Sequence, residues 1–241
     1  MKINFKKYDK IFIIIFIVII MILFAFYLFI NNPRVYTFSS NSSGKTIFIL
    51  GSVHGNEPAG TKSSYKLIKY LNANPPKDKI IIMPMPNLLG YYFNSRYQLK
   101  PFNADINRNF SDKGKDRISR IILKYVQQAD LIIDLHEGYE YHIKYPKSMG
   151  SSVIPNKSSI ANNLSHKMVE AVNMIIKDKN KKFVVSNFYY KKDCYLPDSL
   201  ACYCNRNKKN YISIETTGLN PNKQDINIRV NQQLTILKSI I

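Results

Sequence analysis

Ile11 to Ile30 is an unbroken run of twenty apolar residues, and it divides the chain into two parts that cannot share one core. A helix of that length matches the hydrocarbon thickness of a bilayer. A cleavable leader has a shorter apolar stretch and a small-residue cleavage site, whereas this run ends in Phe24-Ala25-Phe26-Tyr27-Leu28-Phe29-Ile30. Residues 1–30 therefore read as a basic flank and an uncleaved transmembrane anchor. Lys2, Lys6, Lys7 and Lys10 precede the span and Arg34 follows it. That bias predicts a cytoplasmic N-terminus and a domain on the other side of the membrane. Residues 31–45, with Pro33 and a Ser-Asn cluster, read as a linker carrying a short strand near Val35–Phe38. Residues 46–241 remain for one domain with a sizeable core.

The formal net charge is +19, of which the first thirty residues carry +3 and the rest +16. A field of that sign attracts polyanions. The lysines are scattered, as at Lys62, Lys66, Lys69, Lys77, Lys79, Lys113 and Lys115, and no nucleic-acid motif accompanies them. A diffuse solvated charge is the expectation, and no nucleic-acid partner is expected. Three cysteines, Cys194, Cys202 and Cys204, are too few for a disulfide scaffold and leave an odd thiol. One bridge from Cys194 to Cys202 or Cys204 is open to the chain.

Behind the linker, hydrophobic patterning alternates between strand and helix. Short apolar runs at Thr46–Leu50, Lys79–Met83, Leu131–Leu135, Lys182–Ser186 and Tyr211–Glu215 predict strands. Helical periodicity predicts helices through Leu71, over 118–129, over 159–176, from Ser199 and from Asp225. Pro84 to Lys115 reads as a polar loop. The alternation gives an α/β fold with a mixed, largely parallel sheet flanked by helices, in which sites form at the carboxyl ends of strands.

Four polar clusters sit just past those strand ends. In Gly51-Ser52-Val53-His54-Gly55-Asn56-Glu57-Pro58-Ala59-Gly60, a His and a Glu at a strand-to-helix turn can bind one metal ion from a single segment. Such an H-x-x-E match is weak by itself. In Asp134-Leu135-His136-Glu137, a second His leaves a buried strand. Two His and one Glu leave a zinc ion one open position, the catalytic arrangement. In Asn103-Ala104-Asp105-Ile106-Asn107-Arg108-Asn109-Phe110, the Asn107-Arg108 pair can grip a carboxylate. Asp105 in the same loop is placed to orient a metal-bound imidazole. In Tyr211-Ile212-Ser213-Ile214-Glu215-Thr216, an acid at the end of a β-branched strand needs a partner or a task. His142 and His166 read as a structural and a surface residue.

These motifs, in this order, resemble the zinc metallocarboxypeptidase superfamily, and the compact length resembles its succinylglutamate desuccinylase/aspartoacylase-like branch. The resemblance runs from about Thr46 to Gly218. It implies one zinc per chain on His54, Glu57 and His136, with Asp105 behind them. It also implies Asn107 and Arg108 on the substrate carboxylate, Glu215 as general base and then acid, and an oxyanion arginine, for which Arg96 is the nearest candidate. The family places a mobile tyrosine before the helix that starts at Ser199. Asp193 stands at that position, with Tyr190 and Tyr195 near it.

The expected function is a membrane-anchored zinc peptidase or amidase acting beside a free carboxylate, with cell-wall peptides as substrates outside the cytoplasm. An N-acyl-amino-acid deacylase is the alternative within the same chemistry. A non-catalytic anchored binding protein is the alternative outside it.

Overall fold

The computed structural model describes residues 5–30, 32–39, 44–98, 104–188, 196–220 and 222–241. Helix α1 (Phe5–Ile30) contains a stretch from Asp9 to Phe29 long and apolar enough to cross a membrane, with its side chains exposed. Among the described residues the chain then enters a sheet of seven strands. Strand β1 (Tyr36–Phe38) pairs antiparallel on the edge strand's neighbour β3 (Lys79–Met83). β2 (Thr46–Leu50) lies parallel to β3, and β4 (Leu131–Tyr139) lies parallel to β2. β7 (Asn210–Leu219) is parallel to β4, β5 (Ser152–Pro155) is antiparallel to β7, and β6 (Val184–Val185) is parallel to β5. The spatial order is β1-β3-β2-β4-β7-β5-β6. The sheet is mixed and largely parallel, as the strand-helix alternation predicts.

Side chains alternate across a strand, so each strand contributes to two cores. Phe48, Leu50, Ile81, Met83, Ile132 and Tyr211 point to one face. There they meet α4 (Arg117–Gln128) and α6 (Leu200–Arg206). Ile47, Ile49, Ile80, Ile82, Leu131, Ile133, Leu135 and Ile212 point to the other. That face is covered by α2 (Pro58–Ala73), α5 (Ser159–Asn173) and α7 (Ile226–Lys238). Continuous apolar runs are what a sheet covered on both faces requires.

Helix starts follow the local chemistry. Asp116 and Ser119 form a capping box for α4, and Ser158, Ser199 and Asp225 cap α5, α6 and α7 with their side-chain oxygens.

Several boundaries differ from the sequence expectation. β4 does not end before His136 but runs on to Tyr139, because β7 continues beside it and pairs residue by residue through Gly138. β5 is absent from the expected strands. It is four residues long and ends in Pro155, so it carries little periodicity of its own, and its pairing with β7 defines it. The expected loop from Pro84 holds a short helix, α3 (Leu88–Tyr92), capped by Asn87, and a 3-10 turn at Ile106–Arg108 capped by Asp105.

Candidate metal centre

His54 and Glu57 occupy the turn between β2 and α2. The Glu57 backbone N–H donates to the His54 carbonyl at 3.1 Å, which closes the turn. The Ser52 hydroxyl donates to the Glu57 carbonyl. Gly55 is required here, since a Cβ at that position would overlap the Gly90 backbone of α3. His136 reaches the same point from β4, whose residues 134 and 136 share the α4-α6 face of the sheet.

The three side chains converge. Nδ1 of His54 lies 2.8 Å from Oε1 of Glu57, and Nδ1 of His136 lies 2.9 Å from Oε2 of the same carboxylate. One donor atom from each of the three falls within 4.8 Å of the others, and all three residues are buried. The two imidazoles stand 5.0 Å apart between ring centroids. Each presents its other nitrogen to a carboxylate. Nε2 of His54 meets Oδ1 of Asp105 at 3.1 Å, and Nε2 of His136 meets Oδ2 of Asp134 at 3.1 Å. Nitrogen donors backed by carboxylates on the far side are the arrangement that orients metal-binding histidines. Two neutral imidazoles and a carboxylate also match the donor preference of zinc, so the residues fit such an ion.

Burial opposes charge on Glu57, but the two imidazoles outweigh it and hold the carboxyl at about 2. Burial likewise opposes charge on both histidines. The Glu57 carboxylate raises His54, and Asp134 with Glu57 raises His136 well above the ordinary value.

Glu215 is the direct partner of His136 in the β4-β7 ladder, so the two side chains leave the sheet on the same face. It is 6% exposed and accepts a hydrogen bond from the Ser213 hydroxyl at 3.2 Å. Burial pushes its pKa up to about 7, where the carboxyl can both take and give a proton. Arg96 reaches the cluster from the segment after α3. Its guanidinium lies 3.1 Å from Asp105 Oδ2 and 3.4 Å from Glu57 Oε1.

The remaining candidates sit close by with different local partners. Asn107 uses its side-chain oxygen to accept the Leu200 N–H at the start of α6. Arg108 donates to the Asn107 carbonyl at 2.6 Å. His142 holds the loop after β4 through the Ser148 carbonyl, and His166 is exposed. Asn103, Tyr190, Asp193, Cys194 and Tyr195 lie outside the described residues. Cys202 is disulfide-bonded, and Cys204 is a free buried thiol.

Sequence reasoning missed one member of the site. Asp134 is fully buried, holds His136, and accepts the Tyr211 hydroxyl at 2.8 Å. The signal was present: an acid inside an apolar strand, two residues from a histidine, faces the same side.

Comparison with known proteins adds the lineage. The model of the succinylglutamate desuccinylase/aspartoacylase catalytic domain matches residues 43–171, just over half of the chain. The chain belongs to this family. The match includes His54, Glu57, Asp105, Asn107, Arg108 and His136 but stops before Glu215, which the strand pairing sets across from His136. No match is found among curated proteins. Among solved structures, Csd4 from Helicobacter pylori, described as a D,L-carboxypeptidase in an mDAP-bound form, superposes with a TM-score of 0.70 at 16% identity. The alignment covers 85% of this chain and 53% of Csd4, so this family member spans about half of Csd4's length. A candidate metallopeptidase from Shewanella denitrificans gives a TM-score of 0.62 at 18% identity over 87% of this chain and 78% of its own. The ectoine utilization protein EutE from Ruegeria pomeroyi, solved with product bound, gives 0.53 at 15% over 84% and 59%. At these identities the likeness establishes the fold.

Proposed function

We propose that this chain is a membrane-anchored zinc hydrolase that cleaves an amide bond next to a free carboxylate, in peptides outside the cytoplasm such as those of a cell wall. One observation carries the reading. A buried carboxyl with a pKa near 7, Glu215, stands beside His136 in the strand ladder, next to a His-Glu-His cluster backed by two further carboxylates.

His54, Glu57 and His136 would hold the ion, which supplies Lewis acidity and acidifies water toward neutrality. The chain's own groups do the rest. Glu215 takes a proton from the attacking water and delivers it to the leaving nitrogen. Asp105 and Asp134 fix the two imidazole rings. Arg96, already on the rim through Glu57 and Asp105, supplies positive charge where the carbonyl oxygen becomes anionic. Arg108 binds the substrate carboxylate, and Asn107 braces the loop that carries it against α6.

The peptide reading draws on the anchor, since a soluble metabolite needs no tether, and on the fold shared with Csd4. The family's own description favours a second reading, an N-acyl-amino-acid deacylase. Glu215 and the cluster are intact, which speaks against a purely binding role. Turnover by the purified full chain, with zinc or with chelator, decides among them. The substrates are wall-type peptides and N-acyl amino acids, each with a free or amidated carboxylate. Zinc-dependent release from the free-carboxylate peptides is expected. Cleavage of N-acyl amino acids alone would move the assignment to a deacylase, and turnover untouched by chelation would remove the zinc reading.

A further inference from the structure

Glu137 is an acid next to His136 for which the chemistry above has no use. Being adjacent on a strand, it points to the opposite face of the sheet, away from the cluster and toward α2 and α7. There it is 2% exposed.

Its surroundings answer a problem created by the cluster. Glu57 holds the N-cap position of α2 but makes no side-chain cap bond, because both its oxygens face imidazoles. A helix start leaves several N–H groups without partners and carries partial positive charge. Glu137 meets this need from β4: its Oε1 accepts the Ala59 N–H at 2.5 Å. In return the Glu137 backbone N–H donates to Glu57 Oε2 at 3.1 Å. The two residues thus clasp one another through the sheet, side chain to helix start and backbone to side chain.

The buried carboxylate of Glu137 is in turn paired with Arg229 on α7, also 2% exposed. Arg229 Nε donates to the Gln224 carbonyl at 3.0 Å. One turn along α7, Gln233 donates to the His136 carbonyl at 3.1 Å and accepts the Ser63 hydroxyl at 2.8 Å. Gly218 completes the enclosure, since any side chain there would overlap the Glu137 carboxylate.

We infer that Glu137 and Arg229 are positioning residues: Glu137 caps α2 in place of Glu57, leaving the Glu57 carboxylate to face the two imidazoles, and Arg229 holds Glu137 there. The inference rests on reading His54, Glu57 and His136 as metal ligands. The competing possibility is an ion pair that only steadies the fold. A buried pair replaced by apolar residues of similar volume often leaves stability unchanged, so stability alone cannot separate the two.

Two neutral double variants of the full chain in detergent do separate them. Glu137→Gln/Arg229→Gln removes both charges and keeps an oxygen for the Ala59 N–H. Glu137→Leu/Arg229→Met removes the charges and the acceptor. Zinc titration and thermal unfolding of the metal-free chain are measured on each. The Gln pair is expected to bind zinc as the wild type does. The apolar pair is expected to bind it about 10–100-fold more weakly, the usual effect of losing support behind a ligand, and its metal-free form to melt below that of the Gln pair because the Ala59 N–H loses its acceptor. Equal zinc affinity in the two would overturn the inference while leaving the metal site in place. A folded wild type that binds no zinc would remove the metal site and the inference with it. If the apolar pair does not fold, deuterium exchange at the Ala59 amide decides. Slow exchange in wild type and the Gln pair, against fast exchange in Glu137→Ala, is expected; equal rates in all three would overturn the capping role.

Discussion

Glu215 stands across from His136 in the β4-β7 ladder, and burial lifts its pKa to about 7. Only its ionised form accepts a proton from water, so kcat/KM should fall about tenfold per pH unit below its pKa. A bound cation lowers that pKa, which places the acid limb at or below pH 7. Glu215→Gln keeps the shape and removes the acceptor. Zinc binding should survive, and turnover should drop by roughly 10²–10⁴; wild-type turnover in that variant would reject Glu215 as the base. The metal-free chain offers a second test with a defined sign. Glu215, His54 and His136 all have pKa values above their ordinary ones, from burial for Glu215 and from carboxylate neighbours for the histidines. Raised values favour the protonated folded state, so their stabilisation is full at low pH and lost as pH rises through the folded values. Between pH 5 and 8 the melting temperature of the metal-free chain should fall, as calorimetry can follow, whereas zinc affinity should rise because binding displaces those protons. Asp134→Asn tests the residue that sequence reasoning passed over. It leaves the Tyr211 hydroxyl an acceptor but weakens the hold on His136, and zinc affinity should fall about tenfold or more.

The elements show which parts of the fold a sequence makes legible. Strands β2, β3 and β7 and helices α2, α4, α6 and α7 follow from apolar periodicity and from caps such as Asp116, Ser199 and Asp225. The zinc-ligand candidates were legible because each lies at the end of such a run. What was not legible depends on tertiary pairing. The last residues of β4, Glu137 to Tyr139, are strand only because β7 runs beside them, and β5 exists only against β7. The role of Glu137 was hidden for the same reason, since its partner Arg229 lies 92 positions away. The 104–110 segment is a further case: Asn107, expected on the substrate, also accepts the Leu200 N–H with its side-chain oxygen. Asn107→Ala should leave that buried N–H unpaired and cost about 1–3 kcal/mol in denaturant unfolding. An unchanged unfolding midpoint would mean that α6 is held without it. Arg108 on the same segment should behave differently. Arg108→Lys should lose about ten- to a hundredfold in kcat/KM, since an ammonium cannot reproduce the planar two-donor fork, with little change in stability. Amidating the substrate carboxylate should hurt the wild type similarly but barely affect Arg108→Ala. Equal losses in both would make Arg108 a structural residue.

At the scale of the whole molecule the question is which side of a membrane the sheet occupies, because the substrate class depends on it. Helix α1 is long and apolar enough to span, and its side chains are exposed along the stretch from Asp9 to Phe29. Four lysines, Lys2, Lys6, Lys7 and Lys10, precede that stretch against Arg34 just after it. Positive charge on a short flank resists translocation, so the N-terminus is expected inside and the domain across the membrane. The domain's own +16 pulls the other way, but long domains cross largely regardless of charge, so the short flank should decide. Facing outward, the cluster meets peptides that never enter the cytoplasm; facing inward, it meets soluble acyl amino acids. Protease added to intact cells, or to spheroplasts where an outer membrane intervenes, should therefore degrade the domain and leave a membrane-bound stub containing residues 1–30. Protection until the cells are lysed would place the site in the cytoplasm and make the deacylase reading the better one. Release of an intact domain without added protease would show that the apolar helix is removed as a leader, and the anchoring would fail while the metal centre stood.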